Sequence, residues 1–87
     1  MNFDFKKYIK MKITVEISMY PLRENYVDPI QAFIKKLDQY PEIIRKTNTL
    51  STQISGEYND VMDCLNNEIK PVFEKYITSF VIKIVNV

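Results

Sequence analysis

Apolar and polar side chains alternate from Lys12 to Tyr20: Ile13, Val15, Ile17 and Met19 point one way, and Lys12, Thr14, Glu16, Ser18 and Tyr20 the other. A period of two, rich in β-branched residues, predicts a strand with one face in a core. Pro21 cannot donate to a ladder and is expected to stop it. The period then lengthens. Asp28-Pro29-Ile30-Gln31 has the form of a helix start, with Asp28 as cap, Pro29 at the first helical position and Gln31 placed for a capping box. Ile30, Phe33, Ile34 and Leu37 follow at helical spacing, and Tyr40-Pro41 closes the helix.

Ile43 to Thr47 predicts a short second strand, with Asn48-Thr49 as the turn. Leu50 to Ser55 predicts a third, with Leu50, Thr52 and Ile54 on one face and Ser51, Gln53 and Ser55 on the other. The two are close enough to pair as a hairpin. Gly56 marks the exit. Tyr58, Val61, Met62, Leu65, Ile69, Val72, Phe73 and Tyr76 then keep a helical period. Glu57 and Asp60 suit its N-terminus and Lys75 its C-terminal end. Pro71 inside it predicts a kink near Asn67. Thr78 to Val87 predicts the last strand, apolar on both faces: Phe80, Ile82 and Ile84 against Val81, Val85 and Val87. Such a strand needs cover on both sides.

The order β-α-β-β-α-β predicts an α+β domain with a four-stranded antiparallel sheet. Right-handed crossovers put both helices on one side of it. The other face is left bare, presenting Thr14, Glu16, Ser18, Tyr20, Ser51, Gln53, Ser55 and Lys83. Two interpretations stay open for that face: an assembly contact with polar pockets, or a solvated surface with no ligand.

Composition narrows the function classes. The chain has 87 residues, which is room for one domain, here expected over residues 11–87. Residues 1–10 form an extension if Met11 is the start, and their segment lacks the apolar centre of a signal peptide. With 12 basic and 11 acidic residues the net charge is +1, so no field draws nucleic acid or an anionic membrane. No apolar run approaches the roughly 20 residues that span a bilayer. One cysteine, Cys64, and no histidine exclude an internal disulfide and argue against an ordinary zinc site. The lone cysteine is compatible with a reducing cytosol.

Enzyme signatures are missing. Histidine, the commonest general base, is absent. Cys64, between Met62 and Leu65, reads as a packed small residue rather than a nucleophile. Glu16 and Glu57 form an acid–base pair only in principle. A single glycine excludes a glycine-rich phosphate loop. The third strand offers no stacking rings for RNA. An enzyme of this architecture would need a catalytic pair that the sequence does not display.

Val15-Glu16-Ile17-Ser18-Met19-Tyr20-Pro21-Leu22 and Thr47-Asn48-Thr49-Leu50-Ser51-Thr52-Gln53-Ile54-Ser55-Gly56-Glu57-Tyr58, continued by Asn59-Asp60-Val61-Met62, resemble the YkoF-like thiamine-binding family. The similarity runs from about Met11 to Val85. Leu50 stands where the family usually has methionine, a volume-conserving exchange. The resemblance implies a ferredoxin-like domain that binds thiamine or its hydroxymethylpyrimidine part in the cytosol, without known catalysis and with no cofactor. It also implies assembly through sheet edges and faces, as a homodimer or homotetramer, with the ligand on the sheet face at a subunit interface.

The residues accommodate such a ligand. Glu16 can accept from the pyrimidine amino group. Ser18, Ser51 and Thr52 hydroxyls can serve either polarity. Tyr20 can stack on a ring or face the thiazolium cation. Thr47 and Asn48 can add contacts at the hairpin end. Each has a plainer alternative: Glu16 a solvated or interface charge, Tyr20 interface packing, Asn48 a turn former, Thr52 a core threonine and Glu57 a stabiliser of the helix start. The competing function is a structural or regulatory oligomerisation domain with no small-molecule ligand.

Overall fold

The computed structural model describes residues 10–86. Of the expected extension only Lys10 is among them, and Val87 of the last expected strand also lies outside. The elements run β1 (Lys12–Pro21), α1 (Val27–Leu37), β2 (Ile44–Thr47), β3 (Thr52–Glu57), α2 (Tyr58–Lys75) and β4 (Thr78–Val85). They form one antiparallel sheet of order β2-β3-β1-β4, with both helices against one face: the ferredoxin-like arrangement. The core sits between helices and sheet. Ile13, Val15 and Ile17 meet Phe33 and Leu37 of α1, Val61, Cys64 and Leu65 of α2, and Ile43 and Ile54. The odd positions of β1 therefore carry the core, as the alternation predicts. Pro21 is the strand's last residue, opposite Thr78.

Local boundaries differ from expectation in four places. First, α1 begins at Val27, and Asp28 is not its cap. Asn25 reaches forward instead: its Oδ1 accepts from the Asp28 backbone N–H (3.4 Å), and its amide donates to the Asp28 carboxylate (2.6 Å). Pro29 falls third in the helix, where its missing N–H is still among those with no helical partner. Second, α1 ends at Leu37, three residues before Tyr40. The Gln39 and Tyr40 N–H groups bond back to Lys36 and Leu37 and tighten the last turn.

Third, the hairpin turn is longer than Asn48-Thr49. The Asn48 side-chain oxygen accepts from the N–H groups of Leu50 (2.8 Å) and Ser51 (2.9 Å), and Asn48 donates its own N–H to the Ser51 carbonyl. Residues 49–51 are thus held in the turn, and β3 starts only at Thr52. Leu50, expected on the core face, is 84% exposed. Fourth, Gly56 does not mark an exit; it pairs with Ile13 inside β3. A Cβ there would stand 3.1 Å from the Glu42 carbonyl oxygen and 3.3 Å from a Val61 methyl, so glycine permits a close approach of chain to helix. Glu57 then caps α2, its carboxylate accepting from the N–H groups of Asn59 and Asp60. α2 continues through Pro71 to Lys75 as one element.

Candidate functional site

Strand register sorts the chemistry onto two faces. Residues directly opposite in an antiparallel pair share a face. On the helix-free face Thr14 stands between Ser55 and Val85, and Glu16 between Gln53 and Lys83; Ser18 is opposite Val81 and Tyr20 opposite Ser79. The Thr14 and Ser55 hydroxyls lie 2.9 Å apart. Lys83 approaches the Glu16 carboxylate at 3.9 Å, an exposed pair of small energetic weight. Apolar side chains frame this polar band: Ile44 (63% exposed), Val81 (59%) and Val85 (44%).

The helix side holds a cavity of about 480 Å³, within the size range of small-molecule sites. Its origin is a mismatch of strand lengths. β1 pairs with β3 only as far as Ile17 opposite Thr52, yet continues to Pro21. From Ser18 to Pro21 its only strand neighbour among the described residues is β4. The gap in the sheet lies between this overhang and the hairpin turn, and α1 closes it from above. Ile17 and Met19 contribute from β1, Ile30, Phe33 and Ile34 from α1, and Leu22 and Tyr26 from the intervening loop. The hairpin supplies the polar rim, Thr47 through Thr52.

The polar groups of that rim are partly committed. The Arg45 guanidinium is held by Asp38 through two bonds, Nε to Oδ1 at 2.8 Å and Nη2 to Oδ2 at 2.7 Å. This hydrogen bonding keeps the Asp38 carboxyl below its ordinary range and raises Arg45. Arg45 Nη1 donates to Thr47 Oγ1 at 3.1 Å, and Thr47 Oγ1 lies 3.2 Å from Thr52 Oγ1. Thr52, only 7% exposed, is the buried polar residue of the described core. The Asn48 amide oxygen is used by the turn, leaving its NH₂ group as a donor. Among the described residues no carboxylate, amine, guanidinium or thiol lines the cavity. Cys64 is packed in the core, where burial and the nearby Glu68 and Glu42 carboxylates push its thiol up to about 11.

Five of the seven expected ligand residues, Tyr20, Thr47, Asn48, Ser51 and Thr52, come together at this cavity. Glu16 and Ser18 stand on the opposite face of the sheet. Tyr20 belongs to the even-numbered set of β1 but reaches the cavity because the sheet is open beside it. Sequence reasoning left out Tyr26 and Leu22, and treated Phe33 as core alone. It also left out Arg45, which the period of two places on the same face as Thr47.

A family model described as the YkoF-related family matches residues 12–84. No curated protein gives a significant match to the chain. Among solved structures, a Streptococcus pneumoniae protein superposes with a TM-score of 0.77 at 19% identity, covering 86% of each chain. A hypothetical protein of Methanocaldococcus jannascii gives 0.76 at 18% identity, covering 88% of this chain and 81% of that one. A Thermotoga maritima protein, provisionally described as acting in thiamine biosynthesis or salvage, gives 0.68 at 19% identity, covering 83% and 82%. At these identities the likeness is one of fold.

Proposed function

The chain belongs to the YkoF-related family, and we propose that it binds thiamine or its hydroxymethylpyrimidine part in the cavity beneath the hairpin, without catalysing a reaction. One observation carries this reading: an apolar, partly aromatic cavity of about 480 Å³ whose polar groups are neutral hydroxyls and an amide gathered at one end. A planar aminopyrimidine has an apolar face for Phe33, Met19 and Tyr26 and an edge of donors and acceptors for Thr47, Asn48, Ser51 and Thr52. Tyr20 and Tyr26 offer ring faces to a cationic thiazolium. The provisional thiamine description of the Thermotoga maritima protein supports the same ligand class.

This reading sets the ligand on the helix side of the sheet. Glu16 and Ser18 then serve the helix-free face, which a second copy covers in a homodimer or homotetramer. The exposed Ile44, Val81 and Val85 support such cover, as does the small core of a chain this size. The compartment is cytosolic. No helix among the described residues is long and apolar enough to cross a membrane.

Calorimetric titration with thiamine and with hydroxymethylpyrimidine tests the proposal. Saturable binding of either, weakened at least tenfold by Phe33→Ala, is expected. A folded sample that gives no heat with millimolar ligand would leave the second reading, an oligomerisation domain with no small-molecule ligand, which the exposed apolar frame of the open face favours.

A further inference from the structure

We propose that Asp38 and Arg45 are positioning residues that aim one hydroxyl proton of the Thr47–Thr52 pair into the cavity, so that the site selects a ligand with a neutral hydrogen-bond acceptor in its ring.

The threonine pair has one donor more than its partners use. Two threonine hydroxyls carry two protons. Their mutual contact at 3.2 Å consumes one. Arg45 Nη1, a donor that cannot accept, occupies a lone pair of Thr47 Oγ1. One proton is therefore left over, whichever hydroxyl donates to the other, and both residues line the cavity. Among the described residues neither hydroxyl has a further acceptor. Polarity favours one order. A hydroxyl that accepts from a guanidinium becomes a better donor, so the chain runs Arg45 to Thr47 to Thr52. The spare proton is then on Thr52, which is 7% exposed and able to find a partner only in the cavity. Asp38 fixes the guanidinium plane by its two bonds, and it also cancels the charge. The end of the cavity is thus a neutral donor site. A ring nitrogen or carbonyl satisfies it; a C–H edge leaves the buried hydroxyl unpaired. Without Asp38 the guanidinium swings free and the order of the chain is lost.

This deepens the proposed vitamin binding and rests on it for the natural ligand, so the experiment separates the two. Hydroxymethylpyrimidine and its carbocyclic analogue, with both ring nitrogens replaced by C–H, are titrated into wild type, Thr52→Val, Thr52→Ser, Arg45→Met and Asp38→Asn. Pyrimidine, pyridine and benzene are titrated in parallel by amide chemical shifts of cavity residues. Wild type is expected to prefer the nitrogen ring about tenfold or more, the scale of one buried donor left unpaired. Thr52→Val is expected to abolish the preference and Thr52→Ser to keep it. Arg45→Met and Asp38→Asn should reduce the preference itself, not merely both affinities together, which is what a purely structural role would do. Pyridine and pyrimidine binding without hydroxymethylpyrimidine binding would sustain this inference and overturn the vitamin. Equal binding of nitrogen and carbocyclic rings by wild type, a preference unchanged in Thr52→Val or Arg45→Met, or no binding of any ring would overturn it.

Discussion

The Tyr40 hydroxyl donates to the Glu68 carboxylate at 2.6 Å, tying the chain just past α1 to the middle of α2. The bond raises the Tyr40 phenol above its ordinary pKa, chiefly because the carboxylate accepts its proton. Tyr40→Phe keeps the ring and deletes the bond. With the pair only part-buried, the expected loss is about 1 kcal/mol. In a domain of this size that lowers the melting temperature by roughly 4–8 °C, which calorimetry or circular dichroism can read.

Gly56 sits where a side chain has little room. Its φ is not positive, so the obstacle to a side chain is contact and not backbone strain. The nearest neighbour of a new Cβ is the main-chain oxygen of Glu42, which cannot swing aside as a long side chain would. Gly56→Ala is expected to destabilise by about 1–3 kcal/mol, the usual cost of overpacking. An unchanged urea midpoint would refute this account.

Cys64 is fully buried, and its thiol is held neutral up to about 11, above the ordinary 9.0. The folded chain keeps a proton that the unfolded chain releases first. Its contribution to stability is present in full below pH 9 and is lost as the pH rises towards 11. In the folded state the thiol is expected to resist alkylation at pH 8 and to react promptly once urea unfolds the chain.

Asp38 has the opposite sign. Its folded pKa is lowered, first by the hydrogen bond from Arg45. The stabilisation is present above the ordinary carboxyl value and disappears as the pH falls through the depressed one. A carboxyl-carbon NMR titration should place the Asp38 midpoint below its ordinary value. Arg45→Met should return it towards that value.

Glu16 and Val81 separate the proposed ligand site from the proposed assembly face. Glu16→Ala is expected to leave hydroxymethylpyrimidine affinity within twofold, because Glu16 is on the far side of the sheet from the cavity. Val81→Glu puts a charge on the exposed apolar frame. For the proposed assembly it is expected to lower the mass in light scattering while the proposed ligand still binds.

Much of this was legible in the chain because a period is a local property. Ile13, Val15 and Ile17 announce a one-sided strand, and Phe33 with Leu37 a one-sided helix, whatever the rest does. The start of α1 was less legible, since Asn25 and Asp28 are both competent to bond there and three-dimensional approach decides between them. Leu50 was misplaced because the alternation of Leu50, Thr52 and Ile54 is genuine in the sequence, but the Asn48 side chain outcompetes the ladder for two backbone N–H groups. The candidate site was harder still. Alternation separates Glu16 from Ile17 but does not reveal which residues the register leaves beside a gap. Tyr20 and Thr52 are brought to one cavity by where the β1–β3 pairing stops, a relation between distant segments that no window of sequence contains.

That stopping point makes the hairpin end of the cavity adjustable apart from the inner core, with Ile17 and Phe33 the residues the two share. The cavity is bounded by backbone that lacks a neighbour, so its length follows from how far β1 overshoots β3 and how many residues the turn after Asn48 holds. Adding or removing turn residues would resize the chamber without touching Ile13, Val15 or Val61. A change of hairpin length alone would therefore alter what the cavity can admit while the fold keeps the same interior.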